Sequence, residues 1–213
     1  MSDPADAPKT ADPTTAGYYG PSKTALLLLD FHSMFVEKIG GPDALAALSV
    51  AGQMRTWAKS QCITVVHALI DIDAATFPTC KGAERLSSII GAMKSGGAEE
   101  PAELLQDLSE DEPTFTRVLG HVSALKSPGI LEFLHGKGIK SLILTGLSTS
   151  GCVLRTAIPA TDAEFVVSVI SDACADRERD VHNMVIEKLI PSRGYVATAA
   201  EFQEEYIKAR NSD

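Results

Sequence analysis

The chain reads as an α/β domain: a doubly wound, mostly parallel six-stranded sheet with helices on both faces. Three observations predict it. Strand-length apolar runs alternate with helical stretches from Thr24 almost to the C-terminus. The first run, TALLLLD (Thr24 to Asp30), is apolar at successive positions, which suits a central parallel strand covered on both sides. No internal repeat breaks the alternation, and the connections suit right-handed crossovers.

The elements follow in order. The N-terminal 16 residues, rich in Pro, Ala, Asp and Thr, form a flexible or loosely docked tail, which Tyr18 and Tyr19 could pack down; residues 17–213 form one domain. After the first strand comes a helix from Pro42 to Ser60 with an apolar stripe of Leu45, Leu48, Met54 and Trp57. Cys62 to Leu69 is the second strand, and His67 within it is a satisfied core or strand-end residue. From Asp71 to Glu112 the pattern weakens to two short helices, Ala83–Met93 and Pro101–Gln106, around the loop KSGGAEEP. A connection this long could supply a lid or an oligomer contact. Phe115–Leu119 is the third strand, Pro128–Gly136 a short helix, and Ser141–Thr145 the fourth strand, whose following helix runs to about Ala160. The fifth strand, Glu164–Ile170, precedes SDACAD; a helix (Glu178–Leu189), a short strand (Tyr195–Ala197) and a terminal helix (Ala199–Ala209) complete the chain.

Composition narrows the function. With 213 residues, 45% hydrophobic and 22% charged, the chain can bury a substantial core. A formal charge of -9 argues against nucleic-acid binding, and no apolar run reaches the length of a membrane span. No apolar leader begins the chain, and four dispersed cysteines without a C-x-x-C suggest reduced thiols in a cytoplasmic protein.

The chemistry concentrates in SLILTGLSTSGCVLRTA, Ser141 to Ala157: a buried strand, a small-residue turn and a helix start carrying Cys152. A helix start favours thiolate, although an unpaired cysteine is often only a small buried residue. Asp30 closes the first strand, and in open α/β sheets ligands bind beyond such carboxyl ends. A crevice there would place a base beside a nucleophile, with backbone N–H groups of the turn as an oxyanion hole. DFHSMF follows the first strand where a dinucleotide site would place glycines, so no nicotinamide or flavin is expected. GLSTSG is not a serine-nucleophile motif; Cys174 reads as packing, and Cys62 and Cys80 carry no motif.

TALLLLDFHSMF and LILTGLSTSGCVLRTA resemble the isochorismatase-like cysteine hydrolase superfamily, the second through Gly146, Thr149, Cys152, Val153, Thr156 and Ala157. The resemblance spans about Lys23 to Phe202. It implies hydrolysis of small amides, imides or ureido compounds by an Asp–Lys–Cys triad without a cofactor, in a homodimer or homotetramer. Asp30 would be the general base and Cys152 the nucleophile forming a thioester. A cis peptide between Leu147 and Ser148 would turn the N–H groups of Leu147, Ser148 and Cys152 toward the oxyanion. His32 and Phe35 would face the substrate.

Two departures stand out. Aligning Ser123-Ala124-Leu125 with the family's segment places Leu119 where the triad lysine belongs. Arg117, on the same side of an extended strand, and His121 are the candidate substitutes; Lys126 lies on the wrong side of the motif. His32 stands where many members have glutamine, and could exchange a proton or merely hydrogen-bond. The metal cluster of nicotinamidases is not recognisable, and Asp71 with Asp73 is too little for a metal site.

Three functions follow. The leading one is a cysteine hydrolase cleaving a C–N bond. The second is an isochorismatase-type vinyl-ether hydrolase using Asp30 as acid, with Arg117 and Arg155 holding carboxylates. The third is a non-catalytic binding member of the fold, which a Cys152 pKa at or above the free value of about 8.5 would favour.

Overall fold

The computed structural model describes residues 12–211. Six strands, β1 (Thr24–Leu29), β2 (Thr64–Asp71), β3 (Thr114–Val118), β4 (Ser141–Leu147), β5 (Val166–Ala175) and β6 (Tyr195–Ala197), form one sheet in the order β3-β2-β1-β4-β5-β6. Every neighbouring pair is parallel. The helices are α1 (Ala44–Ser60), α2 (Ala83–Lys94), α3 (Ala102–Leu105), α4 (Ile130–Gly136), α5 (Leu154–Asp162), α6 (Arg179–Met184) and α7 (Ala199–Asn211).

The all-apolar β1 run explains the layering. Successive side chains of a strand point to opposite faces. Ala25, Leu27 and Leu29 therefore join a core with Ile130 and Leu134 of α4 and Ala157 and Ala160 of α5. Leu26 and Leu28 join the opposite core with Ala51 and Met54 of α1 and Phe202 and Tyr206 of α7. Both faces of β1 are covered, so a polar residue along it needs a partner inside the protein, as Thr24 has in the Gly20 carbonyl (3.0 Å).

Strand order reverses direction between β1 and β4, so the crevice beyond their carboxyl ends is the topological switch point of the sheet. Leu29 is paired with Gly146 there. Gly146 has no room for a side chain, since a Cβ would lie 2.5 Å from the Leu29 carbonyl oxygen.

Several boundaries differ from the sequence reading, each for a local reason. SDACAD is strand rather than loop through Ala175. It bulges against β4: Leu144 pairs with Val169, yet Gly146 pairs with Cys174. The bulged residues are used, because the Asp172 carboxylate accepts the Ala199 N–H at the start of α7 (2.8 Å). A capping box reinforces that start, Thr198 N–H donating to the Glu201 carboxylate (2.9 Å) and Glu201 N–H to Thr198 Oγ1 (3.3 Å). The first turn after β4, Thr149–Val153, is a wide π-type turn in which Gly151 departs from helical angles. Of the expected tail, residues 1–11 lie outside the described residues. Residues 12–16 form a turn that leads into a 3-10 segment, Ala16–Tyr18, packed on α7. Among the described residues no helix is long and apolar enough to cross a membrane.

Candidate active site

A cleft of about 530 Å³ opens over the carboxyl ends of β1 to β4 and is lined by Asp30, Arg117 and Cys152. That size suits a small-molecule ligand. The sheet brings the three together from distant points in the chain.

Asp30 follows β1 directly and has a left-handed backbone, φ 55°. For an L-residue that region costs roughly 1–2 kcal/mol, with aspartate among the residues that tolerate it. Neighbouring bonds hold it: Asp30 N–H donates to the Ala68 carbonyl (2.9 Å), and His32 N–H to the Asp30 carbonyl (2.8 Å). The chain thereby turns out of the sheet plane while the carboxylate stays buried.

Arg117 is the cation of the site. It lies on β3 in register with Ile70 of β2, and its side chain spans the end of β2 to reach β1. Nη1 donates to Asp30 Oδ1 (2.9 Å) and Nη2 to Oδ2 (2.6 Å), a fork on both carboxylate oxygens. The remaining donors meet backbone carbonyls: Nε to His121 (3.0 Å), Nη2 to Val122 (3.0 Å) and Nη1 to Leu69 (3.3 Å). A lysine could not satisfy this set, because one ammonium lacks the planar fork. Burial works against the guanidinium charge, but the Asp30 charge and hydrogen bonds outweigh it and the group holds its proton more firmly than usual.

Of the two candidate substitutes for the lysine, then, Arg117 makes the ion pair. His121 contributes its backbone carbonyl, while its ring packs on Phe77 with centroids 4.8 Å apart. Leu119, at the aligned lysine position, lines the cleft as an apolar wall.

The Cys152 thiol sits in the turn below. Its hydrogen has the carbonyls of Leu147 (3.1 Å), Ser148 (3.7 Å) and Leu29 (3.9 Å) within reach, and the Asp30 carboxylate beside it. Burial pushes the thiol well above the usual range; the Asp30 charge adds to the rise and the Arg117 guanidinium opposes it. At rest the pair is a thiol beside a carboxylate. A raised thiol pKa therefore does not by itself separate a catalytic cysteine from a packed one, because a neighbouring base produces the same shift. Cys174 shows the same behaviour away from the cleft: burial pushes it up to about 12, a backbone hydrogen bond with Gly146 opposes the rise and the Asp172 charge adds to it. The Leu147–Ser148 peptide is cis. Ser148 O accepts the N–H groups of Gly151 (3.1 Å) and Val153 (3.2 Å), and Ser150 N–H donates to Asp176 (2.7 Å), fixing the turn.

His32 does not face the cleft. Its Nε2 accepts the Ile70 N–H (3.1 Å), which leaves Nδ1–H to donate to the Ala98 carbonyl (2.6 Å). With both nitrogens committed to backbone, the buried ring clamps β2 to the loop before α3 and is not among the residues that line the cleft. Phe35, packed edge-on against it with centroids 5.4 Å apart, does line the cleft. The long β2–β3 connection contributes Phe77, Cys80, Lys81, Arg85 and Leu86 to the walls, residues with no spacing signal in the sequence. Among the described residues no group of three or more His, Cys, Asp or Glu could hold a metal ion.

The isochorismatase domain family model matches residues 24–201. The chain belongs to the isochorismatase-like cysteine hydrolase superfamily. Among curated proteins it is similar to maleamate amidohydrolase of Pseudomonas putida, at 23% identity over 186 residues and 86% of each chain. A crystal structure of a cysteine hydrolase from Pseudomonas syringae pv. phaseolicola matches with TM-score 0.73 at 17% identity, covering 98% of this chain and 100% of the other. An isochorismatase-like hydrolase from Alkaliphilus metalliredigens matches with TM-score 0.70 at 22% identity, covering 88% and 99%. These structural likenesses carry the fold; the substrate has to be argued from the cleft.

Proposed function

We propose that this hydrolase cleaves the C–N bond of a small amide, imide or ureido compound through a Cys152 thioester, with Asp30 as general base. The observation that carries the reading is the Cys152 thiol set against a carboxylate whose two oxygens are forked by Arg117.

In the forward step the thiol turns from Leu147 O to Asp30, which takes its proton as sulfur attacks the carbonyl carbon. The C–S bond forms and the carbonyl electrons move onto oxygen, where backbone N–H groups of the Leu147–Cys152 turn receive them. The electron pair then returns, the C–N bond breaks, and Asp30 passes its proton to the departing nitrogen. Water attacks the thioester, Asp30 accepts its proton, and collapse breaks the C–S bond. The acid is released and the thiol takes the proton back. Arg117 remains charged throughout, so Asp30 cycles between its two states beside a fixed cation.

The isochorismatase-type alternative needs Asp30 protonated at the start. A fork that offers an N–H to each carboxylate oxygen is built for the anion, which favours the base role. The discriminating experiment measures ammonia release from small amides and pyruvate release from isochorismate with the wild type, Cys152→Ala and Asp30→Asn. Amide turnover lost in both variants supports the proposal. Pyruvate release that survives Cys152→Ala and fails in Asp30→Asn selects the vinyl-ether reaction. No turnover with a full panel, together with no acylation of Cys152, selects the non-catalytic reading.

A further inference from the structure

We propose that His182 is a positioning residue of this reaction: from α6, outside the cleft, it grips the Thr149 hydroxyl and so holds the turn that aims Cys152 and the oxyanion-receiving N–H groups. The inference rests on the hydrolase reading above and assigns that site a support behind its nucleophile.

The turn that carries Cys152 has two sides. Leu147, Ser148, Gly151 and Cys152 line the cleft, whereas Thr149 and Ser150 do not. Those two are held instead by the stretch that follows β5. Asp176, buried just past the end of that strand, accepts the Ser150 N–H through Oδ2 (2.7 Å) and the Arg177 N–H through Oδ1 (2.9 Å). Further along, in α6, His182 Nδ1 and Thr149 Oγ1 share a hydrogen bond at 2.8 Å.

The turn needs such anchors. Gly151 departs from helical angles, and the N–H groups of Gly151 and Val153 both converge on Ser148 O, so the bonds within the turn leave the Thr149 side chain unsupported. Thr149 is fully buried, so its hydroxyl depends on a partner inside the protein, and His182 is that partner. A β-branched side chain is stiff about its first torsion, so fixing Oγ1 also fixes the backbone that bears it. The gripping segment is itself braced. Arg179, at the start of α6, forks the Asp43 carboxylate before α1 (both bonds 2.7 Å), and the loop leading to α1 runs so close to Asp176 that Gly41 has no room for a side chain. Burial pushes the His182 imidazole below its ordinary value, while the Asp176 and Asp43 charges pull the other way. The ring is therefore neutral at neutral pH, and a neutral imidazole can make the Thr149 bond in either tautomer.

The test separates this hydrogen bond from the bulk of the ring. His182→Leu and Thr149→Val delete the bond, whereas His182→Asn puts an amide near the place of Nδ1 and Thr149→Ser keeps the hydroxyl. With an amide that the wild type cleaves, the two deletions are expected to lower kcat about 10- to 100-fold and to leave KM within about twofold, because a drifting turn misaims the nucleophile. The two conservative variants should stay within about threefold of the wild type. The double variant Thr149→Val with His182→Leu should be no slower than the slower single one, since both remove the same bond. Alkylation of Cys152 by iodoacetamide is a readout independent of hydrolysis, expected to run about 3- to 10-fold faster in the deletions as the turn loosens over the buried thiol. All rates are taken below the thermal transition of each variant, and the Thr149 pair carries the test should His182→Leu not fold. Equal losses in His182→Asn and His182→Leu, losses that multiply in the double variant, losses confined to KM, or alkylation unchanged by Thr149→Val overturn the positioning role. Failure of the hydrolase reading gives a different result: the wild type cleaves no amide, while alkylation still separates the deletions from the conservative variants.

Discussion

Two buried charge clusters lie on the β2–β3 side of the sheet, and they behave differently. One is Asp30 with Arg117. The other gathers Arg55 and Lys59 of α1, His67 of β2, and Glu100 and Glu112 of the long connection. Arg55 forks Glu112 (2.7 and 3.0 Å), Lys59 adds a contact at 2.5 Å, and His67 Nδ1 meets Glu100 at 2.8 Å. Arg55 and Lys59 also donate to the carbonyls of Gln106 and Asp107, both at 2.7 Å. Among the described residues the groups of this second cluster are matched inside the protein except His67 Nε2, which lies 3.7 Å from Glu112 and has no hydrogen-bond partner among them. It fastens a stretch with little secondary structure to the sheet. The Asp30 cluster has a thiol against it and a cleft above it. Burial and ion pairing are shared by both clusters, so neither feature marks a site; an adjacent nucleophile and an opening to solvent do.

That contrast can be broken by mutation, beginning with the largest expected effect. Cys152→Ala should reduce amide turnover by about 10⁴-fold or more in steady-state kinetics, since the nucleophile of a covalent mechanism has no substitute. Its thermal unfolding should move little by comparison. Arg117→Met is the variant in which site and scaffold fail together. It leaves Asp30 buried without a counter-ion, a change worth about 3–5 kcal/mol in stability by denaturant titration. Turnover should drop about 10²- to 10⁴-fold as the base loses its orientation. Arg117→Lys should recover part of the turnover and little of the stability, because the contacts to His121 and Val122 need the fork.

Glu112→Gln should separate the two clusters. Unfolding free energy is expected to fall by about 3–5 kcal/mol while kcat/KM at a temperature below the transition stays within about twofold. Acid sharpens the same point. Burial pushes the Glu112 carboxyl up, but Lys59 and Arg55 outweigh it and hold the group below the usual glutamate range. Its contribution is therefore complete above the unfolded value of about 4.3 and is lost as pH falls through the lower folded value. Wild-type stability should decline over that window, and the Glu112→Gln curve should be flatter there.

The smallest effect concerns reactivity. Because the folded Cys152 thiol is held well above the ordinary range, alkylation by iodoacetamide should keep rising past pH 9 rather than levelling near the free-thiol value. Removing Arg117 should push the profile further toward alkaline pH, since its charge opposes the shift. A profile that levels below pH 8 would contradict the description of the resting site.

Much of the fold was legible because β1 and β4 are apolar on both faces and each ends in a chemically distinct residue, Asp30 and the Gly146 turn. The crossing of those ends needs only parallel pairing and a switch point. The β5 extension was hidden because Ser171 and Asp172 look like loop residues, whereas at the bulge Asp172 caps α7 and Ser171 Oγ donates to the Ala197 carbonyl of β6. Arg117 could be proposed from strand periodicity, two residues before the aligned lysine position. Its contact with Asp30 depends on the β2–β3 register, which short-range spacing does not encode. His32 hydrogen-bonds rather than faces the substrate, and the sequence could not choose between the two because its partners, Ile70 N–H and Ala98 O, are backbone groups with no side-chain signature. Lys81 and Arg85 fall in a segment without periodicity, and only folding shows that both line the cleft with Arg155.

The central claim is covalent. Rapid quenching of the wild type with a cleaved amide, followed by intact-mass and peptide mapping, should reveal an acyl group on the Cys152 peptide at a rate no slower than turnover. Slow-deacylating substrates should make it accumulate, and the mass gain should equal the acid minus water. Amide turnover that proceeds with an unmodified Cys152, and that persists in Cys152→Ala, would contradict the account.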